Sequence, residues 1–90
     1  DLPQNYSLKQ NYPNPFNPST TIEFEIPNIS YTTLKIFNIL GGELETLVNK
    51  ELSPGSYKVN WDAKNLSSGI YFYQLKTNDY INTKKMLLLK

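Results

Sequence analysis

Hydrophobic and polar residues alternate along most of this chain with a period of two, the spacing of half-buried β-strands. The cleanest case is Thr20–Ile26, where Ile22, Phe24 and Ile26 share one face and Thr21, Glu23 and Glu25 the other. Pro27-Asn28 ends it. Before it, Tyr6–Tyr12 places Tyr6, Leu8, Gln10 and Tyr12 on one parity and predicts a first strand. After it, Thr32–Ile39 starts with Thr32, Leu34 and Ile36 in phase and then shifts to Phe37 and Ile39, which predicts a bulge or burial on both faces. Gly41-Gly42 is a two-residue hairpin signal, and the return strand is Leu44–Glu51. Leu44, Leu47 and Val48 also sit at helical offsets, but eight residues following two glycines are short for a helix, so the strand is favoured.

Ser53-Pro54-Gly55-Ser56 is a turn, and Tyr57, Val59 and Trp61 then alternate against Lys58, Asn60 and Asp62. Asn65–Gly69 is a loop. Gly69–Thr77 carries Ile70-Tyr71-Phe72-Tyr73, apolar on both parities, and so predicts a central strand. Asn78-Asp79 turns the chain into Tyr80–Leu89. About seven strands at this spacing predict an all-β antiparallel sandwich in one domain spanning 1–90, with residues 1–5 a linker remnant and 6–90 the fold. The predicted core is Ile22, Phe24, Leu34, Ile36, Val59, Trp61 and Phe72. The proline-rich segment Pro13-Asn14-Pro15-Phe16-Asn17-Pro18 is expected to run extended, with Phe16 plugging one end of the sandwich.

Composition narrows the chemistry. The chain has neither cysteine nor histidine, which removes disulfides, Cys/His zinc sites, thiol nucleophiles and histidine-based catalysis. It has no arginine, and nine lysines oppose eight acids for a net charge of +1, so nothing selects nucleic acid. The lysines of the C-terminal stretch, Lys76, Lys84, Lys85 and Lys90, read as a solvated edge. No apolar run approaches the roughly 20 residues that a membrane helix needs. Glu23 with Glu25, and Glu43 with Glu45, fall on common strand faces and could serve as acid/base or calcium-binding pairs. Solvated polar faces account for them more simply. Tyr57 and Trp61 could form a sugar-stacking platform, but Val59 between them favours a core face, while Tyr71 and Tyr73 stay open. No catalytic residue, metal or cofactor is expected.

Three segments resemble the type A C-terminal sorting domain of the bacterial type IX secretion system. They are Asn11-Tyr12-Pro13-Asn14-Pro15-Phe16-Asn17-Pro18-Ser19-Thr20-Thr21-Ile22, then Leu34-Lys35-Ile36-Phe37-Asn38-Ile39-Leu40-Gly41-Gly42-Glu43, and finally Trp61-Asp62 with Leu66-Ser67-Ser68-Gly69-Ile70-Tyr71-Phe72-Tyr73 and Lys84-Lys85-Met86. Pro13–Pro18, Gly69 and Tyr71 carry the family motifs. The chain is also similar to the immunoglobulin-like domain of flagellar hook-capping proteins, which implies an immunoglobulin-like sandwich.

The resemblance implies a non-catalytic tag at the C-terminus of a longer protein. Its cargo would lie N-terminal to this chain, pass through the periplasm, cross the outer membrane through the type IX machinery and reach the cell surface or medium. A surface sortase would then remove the tag. Lys84-Lys85-Met86-Leu87-Leu88-Leu89-Lys90 would carry the sorting information, offered by a monomer as an exposed strand that a receptor captures by strand addition. The other reading is an accessory immunoglobulin-like spacer, adhesion or carbohydrate-binding module of a larger secreted enzyme. The absence of an initiator Met at Asp1 fits a piece of a longer chain, and the tag reading expects Lys90 to be its natural end.

Overall fold

A computed structural model describes residues 2–90; Asp1, the first residue of the expected linker, lies outside the described residues. Seven strands follow in order: β1 (Ser7–Leu8), β2 (Ser19–Ile26), β3 (Ser30–Phe37), β4 (Glu43–Leu52), β5 (Gly55–Asp62), β6 (Gly69–Lys76) and β7 (Ile81–Leu88). They form a three-stranded sheet β1-β2-β5 and a four-stranded sheet β4-β3-β6-β7, all pairs antiparallel. The architecture is an immunoglobulin-like β-sandwich, and none of the described residues is helical.

The alternation seen in the sequence is what closes the core. Ile22, Phe24 and Ile26 of β2 face Leu34 and Ile36 of β3, Tyr73 and Leu75 of β6, and Met86 and Leu88 of β7 in one buried cluster. Trp61 is 3% exposed, wedged between Phe16 (ring centroids 5.8 Å apart) and Tyr71 (6.1 Å, edge-on). Tyr57 stacks on Phe24. These aromatics are spent on packing, so a sugar platform centred on Trp61 is absent. Tyr71 and Tyr73 also resolve to the core side.

Several expectations need correction. Phe72 lies on the outer face of its sheet, because β6 is central and its inward parity is Tyr71, Tyr73 and Leu75. Val59 is only partly buried, since β5 is an edge strand of its sheet. The first strand shrinks to Ser7–Leu8, although Tyr12 still bridges Thr21, and Tyr12 itself is 80% exposed. Ile39 is exposed: β3 keeps one inward parity through Ile36 and ends at Phe37. The predicted irregularity belongs to the partner strand, where β4 skips a residue between Leu34 and Lys35 and again between Ile36 and Phe37. The glycine hairpin is longer than two residues. Asn38 N–H donates to the Gly42 carbonyl (2.9 Å), the Asn38 carboxamide caps the Leu40 and Gly42 amides, and Gly41 takes φ +88°.

Candidate functional site

The residues singled out in the sequence lie far apart along the chain and meet in one place, the C-terminal half of β7. On one side of that strand β6 supplies Gly69 opposite Leu88 and Tyr71 opposite Met86. Gly69 has φ +154°, a backbone conformation that side chains on Cβ rarely allow. On the other side lies the Pro13–Pro18 loop. It is a compact series of bends rather than an extended run, and its three X–Pro bonds are cis. Phe16 pairs with Leu88 in a parallel bridge, its N–H donating to the Leu87 carbonyl and its carbonyl accepting from Leu89 N–H, both at 3.0 Å. The Phe16 ring is 2% exposed and plugs the sandwich as expected.

Strand alternation sorts the terminal residues. Met86 and Leu88 are buried, Leu87 is half-buried and Leu89 is 51% exposed. Lys84 and Lys85 therefore point to opposite faces. Lys84 sits half-buried opposite Tyr73, whereas Lys85 is exposed opposite Phe72. Lys90 lies past the strand, its amide donating to the Ser68 hydroxyl (2.8 Å) and its ammonium to the Lys64 carbonyl.

A polar network missed in the sequence holds the loop in place. Asn11 is 2% exposed, and its carboxamide donates to the Thr20 hydroxyl (3.0 Å) and the Pro13 carbonyl (3.2 Å). Gln10 reaches across to the Lys85 carbonyl at 2.7 Å. Tyr73 accepts from Asn11 N–H (2.8 Å) and donates to the Lys9 carbonyl (2.6 Å). A buried polar group needs a partner, but nothing local in the sequence says that Tyr73, more than 60 residues away, supplies it.

Burial pushes the Tyr73 phenol up to about 12 from its ordinary value of 10.0, against the smaller lowering effect of the Asn11 amide. The folded state thus holds this proton longer than the unfolded state. Its contribution to stability is complete below pH 10 and is lost as pH rises towards 12. Tyr73→Phe is expected to lower stability at neutral pH by about 1–3 kcal/mol, by stranding the Asn11 amide and the Lys9 carbonyl. It should also flatten the alkaline loss between pH 10 and 12. Urea titrations at a series of pH values check both; an alkaline slope identical to that of the parent would show that Tyr73 is not its source.

The carboxylate pairs are occupied by other work. Glu23 lies 3.9 Å from both Lys9 and Lys58, and Glu25 accepts from Ser7 and Ser56. The second β4 bulge sends Glu43 and Glu45 to opposite faces, contrary to their sequence spacing. Glu45 accepts from the Trp61 indole at 3.0 Å. The Thr46 hydroxyl and then Lys35 hold the Glu43 carboxyl below the usual range, the wrong direction for a general acid. Among the described residues no three metal-ligating side chains converge.

The motif loop, Gly69, Tyr71 and the lysine-flanked strand thus form one unit, and a family model described as the secretion system C-terminal sorting domain matches residues 10–89. The chain belongs to that family. No curated protein and no solved structure matches it. The match covers β2 to β7 in full and leaves out only the two-residue β1, so the sandwich itself is the sorting domain. As a type IX sorting domain it is a C-terminal secretion signal, works with the type IX machinery and directs export to the cell surface or medium. No helix is long and apolar enough to cross a membrane among the described residues.

Proposed function

We propose that this sorting domain is a non-catalytic tag, read at its last strand while its cargo is in the periplasm and removed at the surface by a sortase. Residues 1–5 are the linker to an N-terminal cargo, and 6–90 are the tag, acting as a monomer. The observation that carries this reading is the convergence of Pro13–Pro18, Gly69 and Tyr71 on the terminal strand. Every part of the motif set supports β7, and the residues proposed to be read, Lys84–Lys90, begin within that strand and run just past it. A cut in the linker would leave the sandwich intact. The carbohydrate-binding alternative loses its best anchor with Trp61 buried.

The test fuses residues 1–90 behind a periplasm-directed fluorescent reporter in a bacterium that has a type IX system. The intact fusion is expected in the medium or on the surface. Removing residues 84–90 is expected to trap it in the periplasm. That truncation also deletes the buried Met86 and Leu88, so Lys84→Glu with Lys85→Glu is measured beside it, with a melting curve for each. An intact fusion retained in the periplasm would sink the export reading. Export of the truncated fusion at the parent level would sink the role of the last strand.

A further inference from the structure

The free edge of β7 is not open to an added strand over its C-terminal half. Lys85 carbonyl accepts from Gln10, Leu87 N–H donates to the Asn14 carboxamide (3.0 Å), Leu87 carbonyl accepts from Phe16 N–H, and Leu89 N–H donates to the Phe16 carbonyl. Strand addition there would first have to strip off the protein's own loop and replace all four bonds. The backbone offers a partner little; the side chains offer more.

Those side chains have a definite character. Leu87 stands opposite Ile70 on the outer face, both half-buried. With Asn14, Lys85 and Met86 they line a shallow hollow of about 160 Å³. Lys85 is part of its lining, and Lys90 lies three residues beyond Leu87, past the strand, with its ammonium on the Lys64 carbonyl. The three ion pairs of the described residues engage Lys9, Lys35 and Lys58, which leaves Lys85, Lys90 and Lys64 without a carboxylate partner. The glutamates cluster elsewhere, Glu23 and Glu25 on the outer face of the other sheet and Glu43, Glu45 and Glu51 on β4. Among the described residues Asp62, whose carboxylate accepts from the Lys64 amide, is the one acid near Lys64, Lys85 and Lys90, so this end of the molecule carries an excess of positive charge beside an apolar hollow.

We infer that the seam between the Pro13–Pro18 loop and β7 is a docking surface read through side chains, and that its partner is a protein segment bearing an apolar side chain flanked by carboxylates. The apolar side chain fills the hollow between Asn14 and Leu87, and the carboxylates face Lys85 and Lys90. This rests on the export-tag reading and adds to it the place and chemistry of recognition. It also gives the loop a second task, since Asn14 both satisfies the β7 edge and forms a wall of the hollow.

The same reporter fusion tests it. Lys85→Glu with Lys90→Glu is expected to reduce export on the order of tenfold, with the melting temperature nearly unchanged. Lys50→Glu with Lys58→Glu makes the same change in net charge on β4 and β5 and is expected to export normally. Lys85→Arg with Lys90→Arg should retain export. A second arm ties the loop to the strand. Asn17→Cys with Leu89→Cys flanks the bridged pair Phe16–Leu88 in a chain that has no other cysteine. Once non-reducing gels show the crosslink, the locked fusion is expected to export as well as the Leu89→Cys single variant.

If the intact fusion is exported and both charge reversals behave alike, the docking surface is wrong while the tag reading stands. If the intact fusion is not exported, the tag reading fails first. Loss of export in the locked form alone would replace side-chain reading with strand addition. Lysine-dependent flotation of the purified fusion with phosphatidylglycerol vesicles, together with normal export of Lys85→Glu with Lys90→Glu, would assign the charge to a lipid surface and overturn the protein partner.

Discussion

Phe16→Ala is expected to destabilise the domain by about 3–5 kcal/mol, the cost of emptying a buried aromatic site that cannot collapse. The ring is 2% exposed and packs on Trp61, so its removal opens a cavity at the end of the core. A domain of this size has about 5–15 kcal/mol in total, so the fold should survive with its melting temperature lowered by more than roughly 10 °C. The backbone bonds between Phe16 and Leu87 and Leu89 should weaken with it, because the buried ring shares with the Asn11 and Gln10 network the task of holding the loop against β7. Limited proteolysis is expected to cut within residues 13–19 in the variant and not in the parent. Unchanged melting together with an unchanged digest would show that Phe16 is not the anchor.

Leu88→Ala is expected to cost about 2–5 kcal/mol, whereas Leu87→Ala costs much less. The two residues are adjacent and chemically identical; only the strand parity differs, with Leu88 at 0% exposure in the core and Leu87 half-exposed beside the hollow. Leu88 also bridges Phe16 and pairs with Gly69, so its loss loosens both neighbours of β7. Export should follow a different order. Leu87→Ala should weaken export while leaving the melt nearly intact, and Leu88→Ala should impair export only as far as it unfolds the domain. Denaturant melts and the reporter assay on the same two variants separate packing from recognition. A larger loss from Leu87→Ala than from Leu88→Ala would mean that the faces of β7 are exchanged, and equal losses would mean that both leucines are buried.

Much of the sandwich was legible because a half-buried strand writes its burial into the sequence. Ile22, Phe24 and Ile26 alternate with Thr21, Glu23 and Glu25, and one face of β2 is indeed buried and the other solvated. Leu34 and Ile36 obey the same rule, and Trp61 follows it on β5. The rule failed where both parities are apolar or where a strand lies at an edge. Ile70-Tyr71-Phe72-Tyr73 is apolar throughout, so nothing local says that Tyr71 and Tyr73 face inward while Phe72 faces out. Val59 alternates correctly but sits on an edge strand, where burial depends on what the sheet leaves uncovered. The β4 bulges were misplaced onto β3 because a register slip is a property of a pair of strands, not of one.

The sequence by itself determined the class of fold, the turns, the lack of histidine and cysteine chemistry, and the motif segments that mark the family. It also singled out Phe16 and the lysine-flanked terminus. Only the tertiary structure brought these segments together: the Leu87 amide donates to the Asn14 carboxamide and the Leu89 amide to the Phe16 carbonyl, joining segments some 70 residues apart, and no local pattern encodes such a contact. The structure likewise decided that Lys84 and Lys85 face opposite ways and that the C-terminal half of the β7 edge is already occupied. The physical reason is that alternation specifies which side of a strand is apolar, whereas the neighbours of a strand, and so the partners of its backbone, are set by how two sheets close around one core.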